Sequence, residues 1–252
     1  RDESLRPWYA RACQYLDCQL PQRYDLSLVR ASNLMVRSHP ELRNTLVVDA
    51  IITNNAPYRQ PYPQFHLVFT DLVDLYGNAD ALAQMDRVYA HVTQTYSLAP
   101  KTVLEGFSRG GLPAYNWAAA HPDRVACIYA DAPVCDIRSW PGGLGTGTGS
   151  PEDWGKCLAA YGLTEETAAD FSDNPIDHLE PLAATGIPVL HVCGDADDVV
   201  PMTENTDVLV RKYRELGGHA VVIVKPGVGH HPHSLDPPDA IVELICTWVE
   251  HN

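Results

Sequence analysis

One serine lies between two glycines in a pattern that suits a nucleophile. Residues 106–110 read Gly-Phe-Ser-Arg-Gly, directly after an apolar run and directly before a helical pattern. A serine on a sharp strand-to-helix turn projects its hydroxyl above the sheet, and the flanking glycines permit the tight backbone. The free N–H groups at the start of the following helix favour developing negative charge. The segment therefore predicts a nucleophilic Ser108, against the alternative of an ordinary Gly/Ser turn.

A serine hydroxyl is a weak nucleophile until a base takes its proton, and that base needs a carboxylate to orient it. Two later loops offer both groups. Residues 194–201 read Gly-Asp-Ala-Asp-Asp-Val-Val-Pro after one apolar run, and residues 226–233 read Pro-Gly-Val-Gly-His-His-Pro-His after the next. If these runs are parallel strands, all three segments lie past the carboxyl ends of strands, where such sheets bind ligands.

Apolar strand patterns and helical patterns alternate from about residue 45 onward. The predicted strands are 45–53, 65–71, 101–106, 125–130, 187–193 and 219–224. The predicted helices are 78–94, 112–120, 203–216 and 239–250. Continuous apolar strands that alternate with helices are typical of a buried parallel sheet. We therefore predict an α/β fold with a mostly parallel central sheet and helices on both faces.

The stretch from about 135 to 182 interrupts this alternation. It opens with a glycine-rich loop at 142–149 and continues with two short helical patterns. We interpret it as a small cap-like insertion within a single domain of residues 1–252, against the alternative of an ordinary connection. The glycine-rich loop lacks the following Lys-Ser/Thr of a phosphate-binding loop.

With these segments in place, the sequence resembles the α/β-hydrolase superfamily of serine hydrolases over about residues 45–252. The motifs that carry the resemblance are the serine elbow, the Gly-x-x-Asp-x-x-Val-Pro loop and the late Gly-His. In the family pattern, the acid corresponds to Asp197 and the base to His230. The resemblance implies ester or related acyl hydrolysis through an acyl-enzyme, with no cofactor.

An oxyanion hole should stabilise the charge that develops on the attacked carbonyl oxygen. One donor should be the backbone N–H of Arg109, the residue after the nucleophile. The second donor usually comes from a loop after an earlier strand, where many family members have a His-Gly pair that is absent here. If 45–53 is that strand, the candidate loop is 54–58, which includes Asn54 and Asn55.

The Arg109 side chain offers a further group beside the nucleophile. Its guanidinium could donate to the oxyanion or hold a substrate carboxylate. The Ser-Arg pair is similar to the Gly-Cys-Ser-Arg pattern of glucuronoyl esterases, although Phe107 replaces the cysteine. The alternative is an ion pair with Asp131 or Glu105. Within the insertion, Trp140 is a candidate for covering the substrate or for ordinary packing.

Three assignments compete with the proposed set. Asp195 and Asp198 flank Asp197 and could solvate the loop or cap a helix instead. His231 could replace His230 as the base. His230, His231 and His233 could also ligate a metal ion with a nearby aspartate. Because a metal site leaves the serine elbow unexplained, we predict no metal.

Composition narrows the class of partner. The chain has 252 residues and a net charge of −14, which disfavours nucleic acids. The sequence contains no basic amphipathic stretch and no long apolar stretch that would indicate contact with a membrane. The seven cysteines lack a C-x-x-C pair, and buried free thiols are the simplest interpretation.

The combined hypothesis is a serine carboxylesterase that acts on a small-molecule or carbohydrate-linked ester. One alternative keeps the triad but cleaves amides, as a peptidase related to the prolyl oligopeptidase group. Another is a binding protein on a hydrolase scaffold. The sequence leaves both the location and the oligomeric state open; among the possible locations, a secreted or periplasmic one is the slightly favoured expectation.

Overall fold

A computed structural model describes residues 29–38, 46–55, 72–96 and 98–251 of the chain. The predicted strand at 65–71 lies outside these residues. The chain divides into two compact units, Arg1–Phe65 and His66–Asn252, which are described separately.

In the first unit, the structure describes one antiparallel pair of strands. β1 is Val29–Ser38 and β2 is Leu46–Asn54. The pairing runs from Val29 opposite Asn54 to Ser38 opposite Leu46, with an irregularity between Ser32 and Met35. The strand predicted at 45–53 is therefore present as β2, and among the described residues its hydrogen-bonded partner is β1, in a two-stranded antiparallel sheet.

The second unit alternates strands and helices in the order that the sequence predicts. Its strands are β3 (Thr102–Phe107), β4 (Val125–Asp131), β5 (Val189–Gly194) and β6 (Ala220–Lys225). Its helices are α1 (Ala79–Tyr96), α2 (Gly111–Ala120), α3 (Pro151–Tyr161), α4 (Glu165–Ala168), α5 (Glu180–Thr185), α6 (Thr206–Glu215) and α7 (Asp239–His251). Short 3-10 turns complete it at 73–75, 108–110, 122–124 and 175–177.

Among the described residues of this unit, four parallel strands form one sheet in the order β3-β4-β5-β6. Side chains alternate between its two faces, as the pleat of a strand requires. On β4, Ile128 and Ala130 join a core cluster with α1, α2, α5 and α6. Cys127 and Tyr129 join another cluster with α7. Helices therefore cover both faces, which confirms the predicted fold class.

The segment predicted as an insertion builds an apolar cluster of its own. Trp140, Trp154 and Cys157 pack there with Leu112 from the start of α2 and with Val200 from beyond β5. The segment thus lies against residues that follow the carboxyl ends of β3 and β5. The single-domain boundaries and a capping role stay predictions.

Two buried asparagines fasten the beginning of this segment to the rest of the unit. Asn205 Oδ1 accepts from the backbone N–H of Cys135 at 2.9 Å, and Asn174 Oδ1 accepts from that of Ile137 at 2.9 Å. Asn205 also donates to the Ser139 hydroxyl at 2.9 Å. Buried polar groups have to be paired in this way, because a buried group without a partner costs about 1–3 kcal/mol.

The five described cysteines are free thiols. Four of them are buried, as the simplest interpretation predicted, namely Cys127, Cys135, Cys157 and Cys193, whereas Cys246 is partly exposed. Within the described part of the chain, no helix combines the length and hydrophobicity that crossing a bilayer demands.

A buried histidine on β5 links the stability of this sheet to pH. His191 is fully buried, with Tyr115 Oη 2.6 Å from Nε2 and Thr206 Oγ1 2.9 Å from Nδ1. Burial disfavours the charged imidazolium and lowers the pKa of His191 from 6.5 to about 3. The folded protein therefore keeps this ring neutral where the unfolded chain is protonated.

We predict that His191 makes the folded state lose stability as the pH falls from 6.5 towards 3. In this window the unfolded chain binds one more proton at this site, which removes about 1.4 kcal/mol of unfolding free energy per pH unit. Urea unfolding of the protein and of His191→Gln, measured at several pH values, isolates this slope. The variant should be less stable at pH 7 but show a shallower decline. Parallel declines would contradict the assignment.

Candidate active site

The predicted nucleophile lies on a strained turn at the end of β3. Ser108 follows Phe107 immediately and has a φ of +50°, a left-handed conformation that is uncommon for a residue other than glycine. A 3-10 turn at Ser108–Gly110 then leads directly into α2. The backbone N–H of Val134 donates to the Ser108 carbonyl at 2.9 Å and ties the turn to the loop after β4. This strand-turn-helix geometry matches the one expected of a nucleophile elbow.

The glycines around the elbow have different roles. A Cβ on Gly106 would lie 2.7 Å from the Gly110 carbonyl oxygen, and one on Gly111 would lie 2.7 Å from Pro133 Cβ. A Cβ on Gly110 would meet nothing within 4 Å. The tight turn therefore requires glycine at 106 and 111, whereas the Gly-x-Ser-x-Gly pattern singled out 106 and 110.

The loop after β6 brings His230 to the serine. His230 Nε2 lies 2.9 Å from Ser108 Oγ, and its Nδ1 lies 2.8 Å from Asp197 Oδ2. The imidazole is 10% exposed, which shields both contacts from bulk water. This arrangement lets Nδ1 donate to the carboxylate while Nε2 accepts the serine proton.

The loop after β5 carries the candidate acid, Asp197, and burial distinguishes it from its two neighbouring aspartates. The Asp197 side chain is 1% exposed, whereas Asp195 and Asp198 are exposed residues. The second Asp197 oxygen accepts from the backbone N–H groups of Val199 and Val200, each at 2.9 Å. Asp195 instead accepts from the backbone N–H of Gly227.

These contacts keep Asp197 ionised. Burial alone raises the pKa of this carboxyl, but the hydrogen bonds from His230 and from the backbone at Val200 and Val199 outweigh it and hold the pKa below its ordinary value. An ionised carboxylate behind the imidazole orients the ring and stabilises its charged form.

Arg109 has a different partner from those that the sequence suggested. Its guanidinium lies 3.3 Å from Asp153 Oδ1 in α3 and 5.5 Å from the ring centroid of Trp140. The expected ion pair with Asp131 or Glu105 is therefore replaced by one that reaches the insertion. Burial raises the pKa of Asp153, but hydrogen bonds from Ser150 and Tyr76 and the positive charge of Arg109 outweigh it. The pKa of this carboxyl therefore lies below its ordinary value.

The remaining predicted site residues are less defined. Trp140 is 7% exposed, so most of its ring is used in packing beneath Arg109. Asn54 ends β2 and Asn55 is exposed, both within the first unit. Residues 56–58 of the candidate oxyanion loop lie outside the described residues. Substrate contacts by these residues stay predictions.

A second histidine-aspartate pair beside the site was missed by the sequence analysis. Asp131, the last residue of β4, is fully buried and lies 2.8 Å from His233 Nδ1. It also accepts from the Tyr129 hydroxyl and from the backbone N–H of Ser234. The available signal was an aspartate that ends an apolar strand, on the same sheet edge as the Gly-His loop.

Comparison with protein families gives a match over most of the second unit. A model described as the prolyl oligopeptidase family matches residues 69–250. Another model, for a protein of unknown function (DUF3426), matches residues 26–76. No functionally curated protein matches the chain.

Several solved structures share the fold. A puromycin hydrolase mutant complexed with PGG has a TM-score of 0.51 and 20% identity, over 68% of this chain and 24% of that chain. A puromycin-hydrolyzing peptidase of Mycobacterium tuberculosis has a TM-score of 0.51 and 14% identity, over 68% and 25%. Porphyromonas gingivalis dipeptidyl peptidase 4 has a TM-score of 0.54 and 15% identity, over 68% and 23%. The chain thus spans about a quarter of the length of each.

The two glycines of the elbow pattern should respond differently to alanine. We predict that Gly106→Ala lowers the free energy of unfolding by about 1–3 kcal/mol, because its methyl group meets the Gly110 carbonyl. Gly110→Ala should be neutral or stabilising by up to about 1 kcal/mol, since Gly110 has helical angles and open space around it. Denaturant unfolding of the two variants measures the difference, and equal losses would contradict this geometry.

Proposed function

The chain belongs to the prolyl oligopeptidase family of serine hydrolases, and on this basis we propose that it is a serine peptidase that cleaves amide bonds through an acyl-enzyme. The observation that carries the proposal is the position of His230, within hydrogen-bonding distance of both Ser108 and Asp197. The carboxylesterase of the sequence analysis uses the same groups. The family match favours the peptidase alternative.

In the proposed first step, Ser108 Oγ attacks the substrate carbonyl while His230 Nε2 takes its proton. The resulting imidazolium is stabilised by Asp197. The tetrahedral intermediate then collapses, and the same imidazolium gives its proton to the leaving amine. This protonation matters for amides, because an unprotonated amine is a poor leaving group. Water, activated by His230, releases the acyl group from Ser108.

The oxyanion needs donors that are in place before the reaction. We assign one donor to the backbone N–H of Arg109, at the beginning of the 3-10 turn that leads into α2. The amino end of α2 also favours negative charge at this position. The second donor from Asn54 or Asn55 stays a prediction.

We propose aminoacyl or short peptidyl amides as the substrate class. Support comes from the structural neighbours, which include puromycin-hydrolysing enzymes and a dipeptidyl peptidase. Arg109 follows Ser108 in the chain, and its ion pair with Asp153 leaves both charged side chains partly exposed, at 36% and 23%. We infer that either charged end of a short zwitterionic substrate meets the opposite charge of this pair.

Matched substrates distinguish the peptidase from the carboxylesterase. We expect an aminoacyl 4-nitroanilide to be hydrolysed with a kcat within about 100-fold of that for the 4-nitrophenyl ester of the same amino acid. A shared acyl-enzyme gives both substrates the same second step, and protonation of the amine compensates for its poorer departure. Release of nitroaniline and nitrophenol is followed by absorbance.

Ser108→Ala is the control for this comparison and should reduce both rates by several orders of magnitude. Ester turnover that depends on Ser108 with no detectable anilide turnover would favour the carboxylesterase. If Ser108→Ala leaves both rates unchanged, the assignment of the nucleophile is wrong.

Neighbouring aspartates provide a matched test of the acid. We predict that Asp197→Asn lowers kcat by about 10⁴-fold, because an amide behind Nδ1 favours the wrong imidazole tautomer. Asp198→Asn makes the same change at the next residue, which is exposed. Its kcat should stay within about threefold of that of the unmodified protein. Comparable losses in the two variants would show that Asp197 is not the orienting acid.

A further inference from the structure

Three histidines form a cluster at the edge of the proposed catalytic site. This histidine cluster consists of His230, His231 and His233, each of which offers a ring nitrogen within 4.8 Å of the others. The ring centroids lie 4.6 to 5.2 Å apart. Nitrogen ligands on a tetrahedral zinc ion lie about 3.4 Å apart. Small side-chain rotations would therefore bring the three ring nitrogens to the distances that zinc requires.

Carboxylates already support two of these imidazoles from behind. Asp197 lies 2.8 Å from His230 Nδ1, and Asp131 lies 2.8 Å from His233 Nδ1. Histidines that bind metals commonly donate one ring N–H to a carboxylate, which fixes the tautomer and makes the other nitrogen a stronger ligand. In both residues this leaves Nε2 for a metal ion.

The charges around the cluster suit a cation. Asp131 and Asp197 are both buried, and each carboxylate accepts two further hydrogen bonds besides the contact with its histidine. His231 is the exposed member of the cluster. Lys225 opposes the attraction of these carboxylates for a cation, since its Nζ lies 3.8 Å from Asp131 Oδ1 and donates to the Pro232 carbonyl, between His231 and His233.

The sequence-based prediction of no metal weighed a catalytic ion in place of the serine; in contrast to it, we propose that the histidine cluster binds a divalent transition-metal ion of the zinc class and that the bound ion reversibly inhibits the hydrolase. Imidazole nitrogens suit zinc, copper and nickel. The inhibitory part rests on the proposed function, because it follows from the role of His230. Its Nε2 has one lone pair, which takes either the proton of Ser108 or the metal. A metal ion at Nε2 therefore removes the base while the fold stays intact.

The site itself is tested by zinc binding to the full chain. We expect isothermal calorimetry of the chelator-treated protein with Zn²⁺ to show a site that His231→Gln weakens by at least about tenfold. His219→Gln is the matched control, since His219 is another exposed histidine, packed against Trp248 outside the cluster. Unchanged affinity in His231→Gln, or no zinc binding at all, would overturn the site. Thermal unfolding without metal verifies that both variants fold.

The inhibition is tested by the reactivity of Ser108 towards a fluorophosphonate. Saturating Zn²⁺ should slow labelling at least about tenfold in the protein and in His219→Gln, and a chelator should restore it. In His231→Gln, labelling without metal should match the unmodified protein, and the same zinc concentration should slow it less. Labelling that zinc does not affect in the unmodified protein would overturn inhibition.

Calorimetry separates the failure of this proposal from the failure of the proposed function. Zinc binding that depends on His231 supports the site even where the metal-free protein is not labelled, and that result would count against the catalytic role of Ser108. Labelling without zinc binding would leave the hydrolase in place and remove the metal site.

Discussion

The imidazole of His230 needs a different partner at each of its two ring nitrogens, and much of the second unit serves to place both partners. A carboxylate has to face Nδ1, and a hydroxyl has to face Nε2, at 2.8 and 2.9 Å. The three side chains are far apart in sequence, so local structure cannot bring them together. A parallel sheet can, because β3, β5 and β6 all end at one edge. The helices on both faces then bury the strands and fix that edge in place.

The sequence predicted the parts of this arrangement that depend on local pattern. Apolar runs predicted β3 to β6, and helical spacing of apolar residues predicted α1, α2, α6 and α7. Both patterns arise because the buried face of an element needs apolar residues at regular intervals. The serine elbow and the two loops were recognisable since their glycines and polar residues follow strands. The pairing of β2 with β1 was not predicted, because the sequence of a short apolar strand does not specify which strand it pairs with.

Contacts through space account for what the sequence could not supply. Arg109 pairs with Asp153, which is 44 residues away, although Asp131 and Glu105 were nearer candidates. His233 reaches Asp131 across 102 residues. Charge type alone does not choose among aspartates; only the packing of the loops does. Likewise, Gly111 is required because Pro133 and Val134 approach it after β4, a contact that no motif encodes.

The asparagine contacts at the beginning of the segment 135–182 restrict how far that segment can move. Asn174 and Asn205 each hold a backbone N–H of this segment in the interior. Moving the segment outward would leave these buried amides without hydrogen-bond partners. It would also expose the apolar cluster that the segment forms with Leu112 and Val200 to water. Displacing this segment would therefore cost several buried contacts together. Its geometry is set by the interior of the unit, so the residues that it carries, Trp140 and Asp153 among them, are held in position by contacts that involve no bound molecule.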